Sequence, residues 1–95
     1  MNYGKAIDQR SLIGFTYKGH QRVVEPVCWG LLAGTKREGL RAFQVGGTSE
    51  SGDLGWKTFV VSKMKSPHLE GETFDEIPEG YRRDDPDIVP VFTQL

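Results

Sequence analysis

One cysteine, two histidines and no long apolar run are the first facts of this sequence. A lone Cys28 has no internal partner for a disulfide. Together with His20 and His68 it gives too few nitrogen and sulfur ligands, at no paired spacing, for a structural zinc site. No metal and no cofactor are therefore expected. No stretch approaches the ~20 apolar residues that a membrane-spanning helix needs, so no membrane partner is expected. Met1 to Arg10 is polar with scattered charge and lacks the apolar core of a secretory signal, and the expected location is the cytoplasm.

Catalytic apparatus is equally scarce. Cys28 sits beside Trp29 in an apolar run, where a thiol is inert core material. The glycines at 46, 47 and 52 are followed by no Gly-Lys-Ser/Thr and no helix, so they make a hairpin loop, not a phosphate-binding loop. The carboxylates of 70–87 lie in turn sequence with nothing apolar around them to raise a pKa. No catalytic residue is assigned, and the chain is expected not to be an enzyme.

What is present is glycine, twelve in 95 residues, spread between short apolar runs. That pattern favours strands joined by turns. Residues 3–10 suit one or two helical turns with Tyr3, Ala6 and Ile7 inward. The alternation over 12–17, turn residues at 18–21 and a returning 22–25 predict a hairpin. Pro26 marks a strand start, an edge or a bend. Further strands are predicted over 27–33, 40–45 and 56–64, separated by a charged turn at 34–39 and a polar loop at 46–53 too poor in apolar residues to pack. A short strand or bracing contact is expected at His68-Leu69 and Thr73-Phe74. Residues 75–87 have turn composition, and Ile88 to Leu95 is apolar enough to dock back on the body.

Five short strands must curl to bury their apolar faces and hide their edges. The predicted fold is mainly β, a small SH3-like or Sm-like five-stranded barrel over 1–74. It carries a short N-terminal helical turn and an acidic C-terminal segment over 75–95.

Charge is unevenly distributed. Residues 1–65 hold ten Lys or Arg against five acids, and residues 66–95 hold two against eight. A basic body suggests an anionic partner, and the acidic segment either solubilises it or covers it. Arg22, Arg41, Lys57 and Lys63 each fall on a predicted strand beside apolar or aromatic neighbours. Cations held on strands can be aligned along one groove for phosphate, while Tyr17, Phe43 or Trp56 offers a stacking face. These seven are the candidate ligand-binding residues. Against them stand two plainer readings, Lys and Arg guarding sheet edges from aggregation and Trp56 as core.

The order of motifs from Ala6 to Phe74 resembles the WYL domain, a regulatory module. The matching residues are Ala6-Ile7, Phe15-Thr16-Tyr17, Arg22-Val23-Val24-Glu25-Pro26, Leu40-Arg41-Ala42-Phe43 and Lys57-Thr58-Phe59-Val60-Val61-Ser62-Lys63-Met64, with Phe74 ten residues later. The naming Trp-Tyr-Leu is absent: if Leu40 is its leucine, Glu38 and Gly39 stand in the aromatic positions. Lysines occupy both signature arginine positions. The resemblance implies a barrel that senses a ligand, in several members a nucleotide or single-stranded nucleic acid, and biases an effector. The alternative expectation is a protein-interaction module or homodimer, with residues 88–95 docked or exchanged as a strand.

Overall fold

The computed structural model describes residues 1–95. A six-residue helix, α1 (Tyr3–Asp8), opens the chain, its first turn capped by the Asn2 side chain accepting from the Lys5 amide at 2.9 Å. It buries Tyr3, Ala6 and Ile7, the three residues whose spacing predicts an inward face. No helix is long and apolar enough to cross a membrane.

Six strands follow: β1 (Ser11–Tyr17), β2 (His20–Leu32), β3 (Glu38–Gly47), β4 (Gly55–Val60), β5 (Lys65–Thr73) and β6 (Ile88–Gln94). All pair antiparallel in one sheet of order β4-β3-β2-β1-β5, with β6 added alongside β2. β1 and β2 meet at a two-residue turn, Lys18-Gly19, with φ of 52° and 78°. Two positive φ angles are what a tight hairpin twisted to match its strands requires. The turn is therefore shorter than 18–21, and β2 begins at His20.

Three expectations are corrected. The segments 22–25 and 27–33 are one strand. Pro26 lies where pairing with β1 has ended, pairing with β6 has not begun, and the β3 ladder shifts register. Each is a place where a missing N–H is tolerated. The segment 56–64 is not all strand: β4 stops at Val60, and Val61–Lys63 forms a 3-10 turn, η1. Finally, the sheet has six strands, and it is open. Its outer members β4 and β5 do not pair, and η1 with Met64 links them. At this gap the Val60 amide donates to the Tyr17 hydroxyl at 3.1 Å, so a side chain does what a ladder bond does elsewhere.

Two apolar clusters hold the sheet. The larger joins α1 to the concave side: Tyr3, Ala6, Ile7, Ile13, Phe15, Tyr17, Val24, Leu40, Ala42, Phe59 and Met64. The smaller, Val27, Cys28 and Ile88, is closed over by Trp56, Tyr81 and Val91. Residues 88–94 are thus a paired strand within the sheet and not a trailing tail. Their approach is close: a Cβ on Gly30 would collide with the Pro90 carbonyl oxygen.

Candidate functional site

The seven predicted residues fall into three places. Tyr17 and Arg22 meet inside the molecule. β1 and β2 set Arg22 opposite Phe15, on the inward face it shares with Val24. Arg22 is 2% exposed, and all three guanidinium nitrogens are engaged. Nε and Nη2 donate to the Tyr17 carbonyl at 3.3 and 3.2 Å, Nη1 to Gln44 Oε1 at 3.2 Å, and Nη2 to Glu50 Oε2 at 2.5 Å. The cation also lies 5.4 Å and 5.5 Å from the Tyr17 and Phe59 ring centres. Burying a charge demands such pairing. It also removes Arg22 from any groove, and Tyr17, edge-on to Phe15 and Phe59, offers no open face.

The same contacts correct the reading of the 46–53 loop. Gln44 Nε2 donates to the Gly46 and Thr48 carbonyls, both at 3.0 Å, and the Ser49 hydroxyl donates to Asp53 O at 2.6 Å. Ser49 is buried, and Glu50 is the counter-charge of Arg22. The loop packs through polar groups instead of apolar ones. Its own backbone N–H and then Arg22 hold the Glu50 carboxyl below the usual carboxylate range.

Arg41, Phe43 and Trp56 do come together, on the opposite face of β3 and β4 from Leu40, Ala42 and Phe59. Phe43 meets Trp56 edge to face at 5.3 Å, and the Arg41 guanidinium lies 5.0 Å from the Trp56 ring. The face is covered. Trp56 Nε1 donates to the Glu79 carbonyl at 2.9 Å, Asp85 stands 4.0 Å from Arg41 Nε, and Arg41 Nη1 donates to Thr58 Oγ1 at 3.0 Å. Tyr81 and Arg83 in turn donate to the Leu95 carbonyl oxygen, each at 2.7 Å. Between Arg41, Trp56, Gly80, Tyr81, Arg82 and Asp85 only about 20 Å³ remains, room for a water molecule. One carboxylate of the 75–95 segment, Asp85, thus stands against Arg41, whose side chain stays 31% exposed.

Lys57 is half-buried opposite Ala42 on β4, and Lys63 is exposed on η1, not on a strand. Neither has an internal hydrogen bond or ion pair. The four cations of the sequence reading therefore do not share one concave surface.

A different set does converge. A cleft of about 400 Å³ opens between the β2–β3 turn and η1, lined by Lys36, Arg37, Glu38, Val61 and Ser62. The turn is braced by its own backbone: Leu32 N–H donates to Arg37 O, Thr35 N–H and Oγ1 to Leu32 O, and Arg37 N–H to Thr35 Oγ1. The Lys36 and Arg37 side chains, both exposed, have no internal partner. Glu38 Oε2 accepts from Trp29 Nε1 at 3.2 Å, and Val61 packs against the larger core cluster. Sequence reasoning passed over these residues because 34–39 reads only as a charged turn and 61–63 as strand. The adjacent Lys36-Arg37 pair is the one local signal. A second cleft of about 300 Å³, beside α1 and Leu69, is lined by one cationic side chain, Lys5.

Nowhere do three His, Cys, Asp or Glu side chains converge as metal ligands would. Burial, with Asp85 and Asp84 adding to it, pushes the Cys28 thiol up to about 11, which leaves it protonated and unreactive at neutral pH. No family model, no curated protein and no solved structure matches this chain.

Proposed function

We propose that this protein is a non-catalytic binding module for a small anionic ligand, taken in the cleft between the β2–β3 turn and η1. The observation that carries the reading is the pair Lys36 and Arg37, adjacent, exposed and unpartnered, facing Ser62 across one cleft. A cation already paired gives up that pairing to bind a ligand, as Arg22 and Arg41 would. A free one does not. Arginine adds a planar fork that matches phosphate or carboxylate oxygens, lysine a point charge, and Ser62 a hydroxyl donor. The volume lies within the range of small-molecule sites. A nucleotide fits that chemistry and agrees with the WYL resemblance, under which binding would regulate an effector.

Chemical-shift mapping with nucleoside 5′-monophosphates and inorganic phosphate tests the proposal. Shifts confined to residues 36–38 and 61–63, weakening with salt and lost in a Lys36→Glu/Arg37→Glu double variant, are expected. Shifts clustered elsewhere, or none at millimolar ligand and low salt, would sink it.

A second reading rests on apolar exposure: Val89 and Phe92 on β6 are 58% and 47% exposed. Such side chains suit a protein partner or a second copy of this chain. Light scattering on the wild type and a Val89→Ser/Phe92→Ser variant tests it, a monomer in both excluding self-association.

A further inference from the structure

The cleft holds a carboxylate as well as two cations, and these groups do not neutralise one another. The ion pairs of the whole chain are Arg22 with Glu50, Arg41 with Asp85 and His68 with Glu70. Glu38 is therefore more than 4 Å from the charged atoms of Lys36 and Arg37, although all three line the same space. An exposed ion pair gains little in water, so Glu38 is free to take another partner. Here one oxygen is tied to the Trp29 indole N–H at 3.2 Å. That indole is itself fixed, its ring 4.9 Å from Phe92 edge to face and 6.2 Å from Tyr3. The carboxylate is thus held by a wedged aromatic, with the second oxygen and a spare lone pair on the first left to accept.

We infer that Glu38 is a specificity residue that reads the Watson–Crick edge of guanine, so that the cleft takes a guanine mononucleotide in preference to other nucleotides. This rests on the anionic-ligand reading above and narrows it. A continuous run of phosphates laid through the cleft would bring like charge against Glu38, which disfavours an extended polyanion. A ligand anionic at one end and donor-rich at the other satisfies both sides. Among the bases only guanine presents two adjacent donors, N1–H and N2–H, on its pairing edge, matched to the two oxygens of one carboxylate. Adenine and cytosine each place a donor beside an acceptor, and that acceptor would face the carboxylate lone pairs unpaired. Uracil places its single donor between two acceptors. The phosphate then goes to Lys36, Arg37 and Ser62, and Val61 gives the cleft an apolar wall. At about 400 Å³ the space suits one nucleotide.

The test uses the full chain, labelled with nitrogen-15, and its two indole N–H signals. Trp29 donates to Glu38, so a ligand that engages Glu38 moves the Trp29 signal. Trp56, bonded to Glu79 beside the other core cluster, is the internal reference. GMP, IMP, AMP and inorganic phosphate are titrated separately. GMP is expected to bind about tenfold tighter than AMP, as one bidentate base contact allows, with IMP between them. GMP should shift the Trp29 signal and leave Trp56 in place. Glu38→Gln, which keeps an acceptor for Trp29 but turns an amide toward the base, should make GMP and AMP bind alike, while phosphate binds at least as tightly as to the wild type because a like charge beside Lys36 and Arg37 has been removed. Equal affinity for GMP and AMP on the wild type, with shifts at residues 36, 37 and 62, overturns the guanine assignment and leaves the anion site standing. Binding by none of the four overturns the site itself.

Discussion

The Arg22 guanidinium, closed off from solvent, meets the half-exposed Glu50 carboxylate at 2.5 Å across 28 residues of chain. That one contact ties the β3–β4 loop to the centre of the sheet. Arg22 also satisfies the Tyr17 carbonyl and Gln44. Arg22→Ala strands both groups and opens space between the Tyr17 and Phe59 rings. It is expected to cost about 3–5 kcal/mol, the usual loss when one member of a buried charged network is removed. Arg22→Lys should recover only part, since a point charge cannot serve three acceptors in the plane of a fork. Urea midpoints of the two variants check both statements.

The same pair sets an acid limit. The folded protein holds the Glu50 carboxyl below its ordinary value of 4.5, through its own backbone N–H first and Arg22 second. The contribution of Glu50 is therefore fully present above that value and is lost as pH falls through the lowered one. The stability difference between wild type and Glu50→Gln should shrink as pH drops below about 4.5. Thermal midpoints measured from pH 7 to pH 2.5 show this as converging curves, and parallel curves would refute it.

Tyr17 is predicted to matter through its oxygen. Its hydroxyl accepts the Val60 N–H on the edge where β4 has no neighbouring strand. Tyr17→Phe keeps the ring contacts and leaves that amide without an acceptor, which should cost about 1–3 kcal/mol. Amide exchange at Val60 should accelerate more than exchange in β1 and β2.

Much of this fold is legible in the residues themselves. The inward set Tyr3, Ala6 and Ile7, the 12–25 hairpin and the alternation of β3 all follow from spacing and turn chemistry. Arg22 could have been read as buried too. A hairpin centred on Lys18-Gly19 places it opposite Phe15, and period two puts it with Val24. The difficulty was chemical habit, which puts arginine outside unless a partner is known, and Glu50 lies in a loop of no predicted structure. η1 escaped because Val61-Ser62-Lys63 keeps the alternation of the strand before it. Of the cleft only the Lys36-Arg37 pair is visible in the sequence, for it meets Val61-Ser62 only in the folded sheet.

Cys28 gives an alkaline counterpart to Glu50. Burial holds its thiol up to about 11 from an ordinary 9.0. The folded state binds that proton more tightly than the unfolded one, so the associated stability is intact below pH 9.0 and drains as pH rises toward about 11. Burial raises Tyr3 and Tyr81 in the same direction. Native protein should leave a thiol reagent unreacted at pH 8 and react on addition of urea. Cys28→Ala should flatten the alkaline limb. Fast labelling of the native state would show that the thiol is not enclosed.

Gly30 is the position on which the docking of β6 depends. β6 crosses it so closely that an added methyl group would overlap the Pro90 carbonyl oxygen and press on the Ile88 side chain. The backbone of Pro90 cannot move away alone, because Gly30 pairs with Val91 and Leu32 with Ile88 in the same ladder. Gly30→Ala should therefore push β6 as a unit from β2 and loosen the cluster of Val27, Cys28 and Ile88 beneath Tyr81. The expected loss is about 1–3 kcal/mol, the range for overpacking. Faster amide exchange should be greatest in β6 and the facing half of β2 and reach α1, whose Gly4 lies against Thr93, with β1 unchanged. The Cys28 thiol should also become reactive at neutral pH, since the strand that encloses it has moved. A Gly30→Ala protein whose β6 amides and thiol stay as protected as in wild type would mean that β6 is held by its side chains, and that the close approach of the two backbones is incidental.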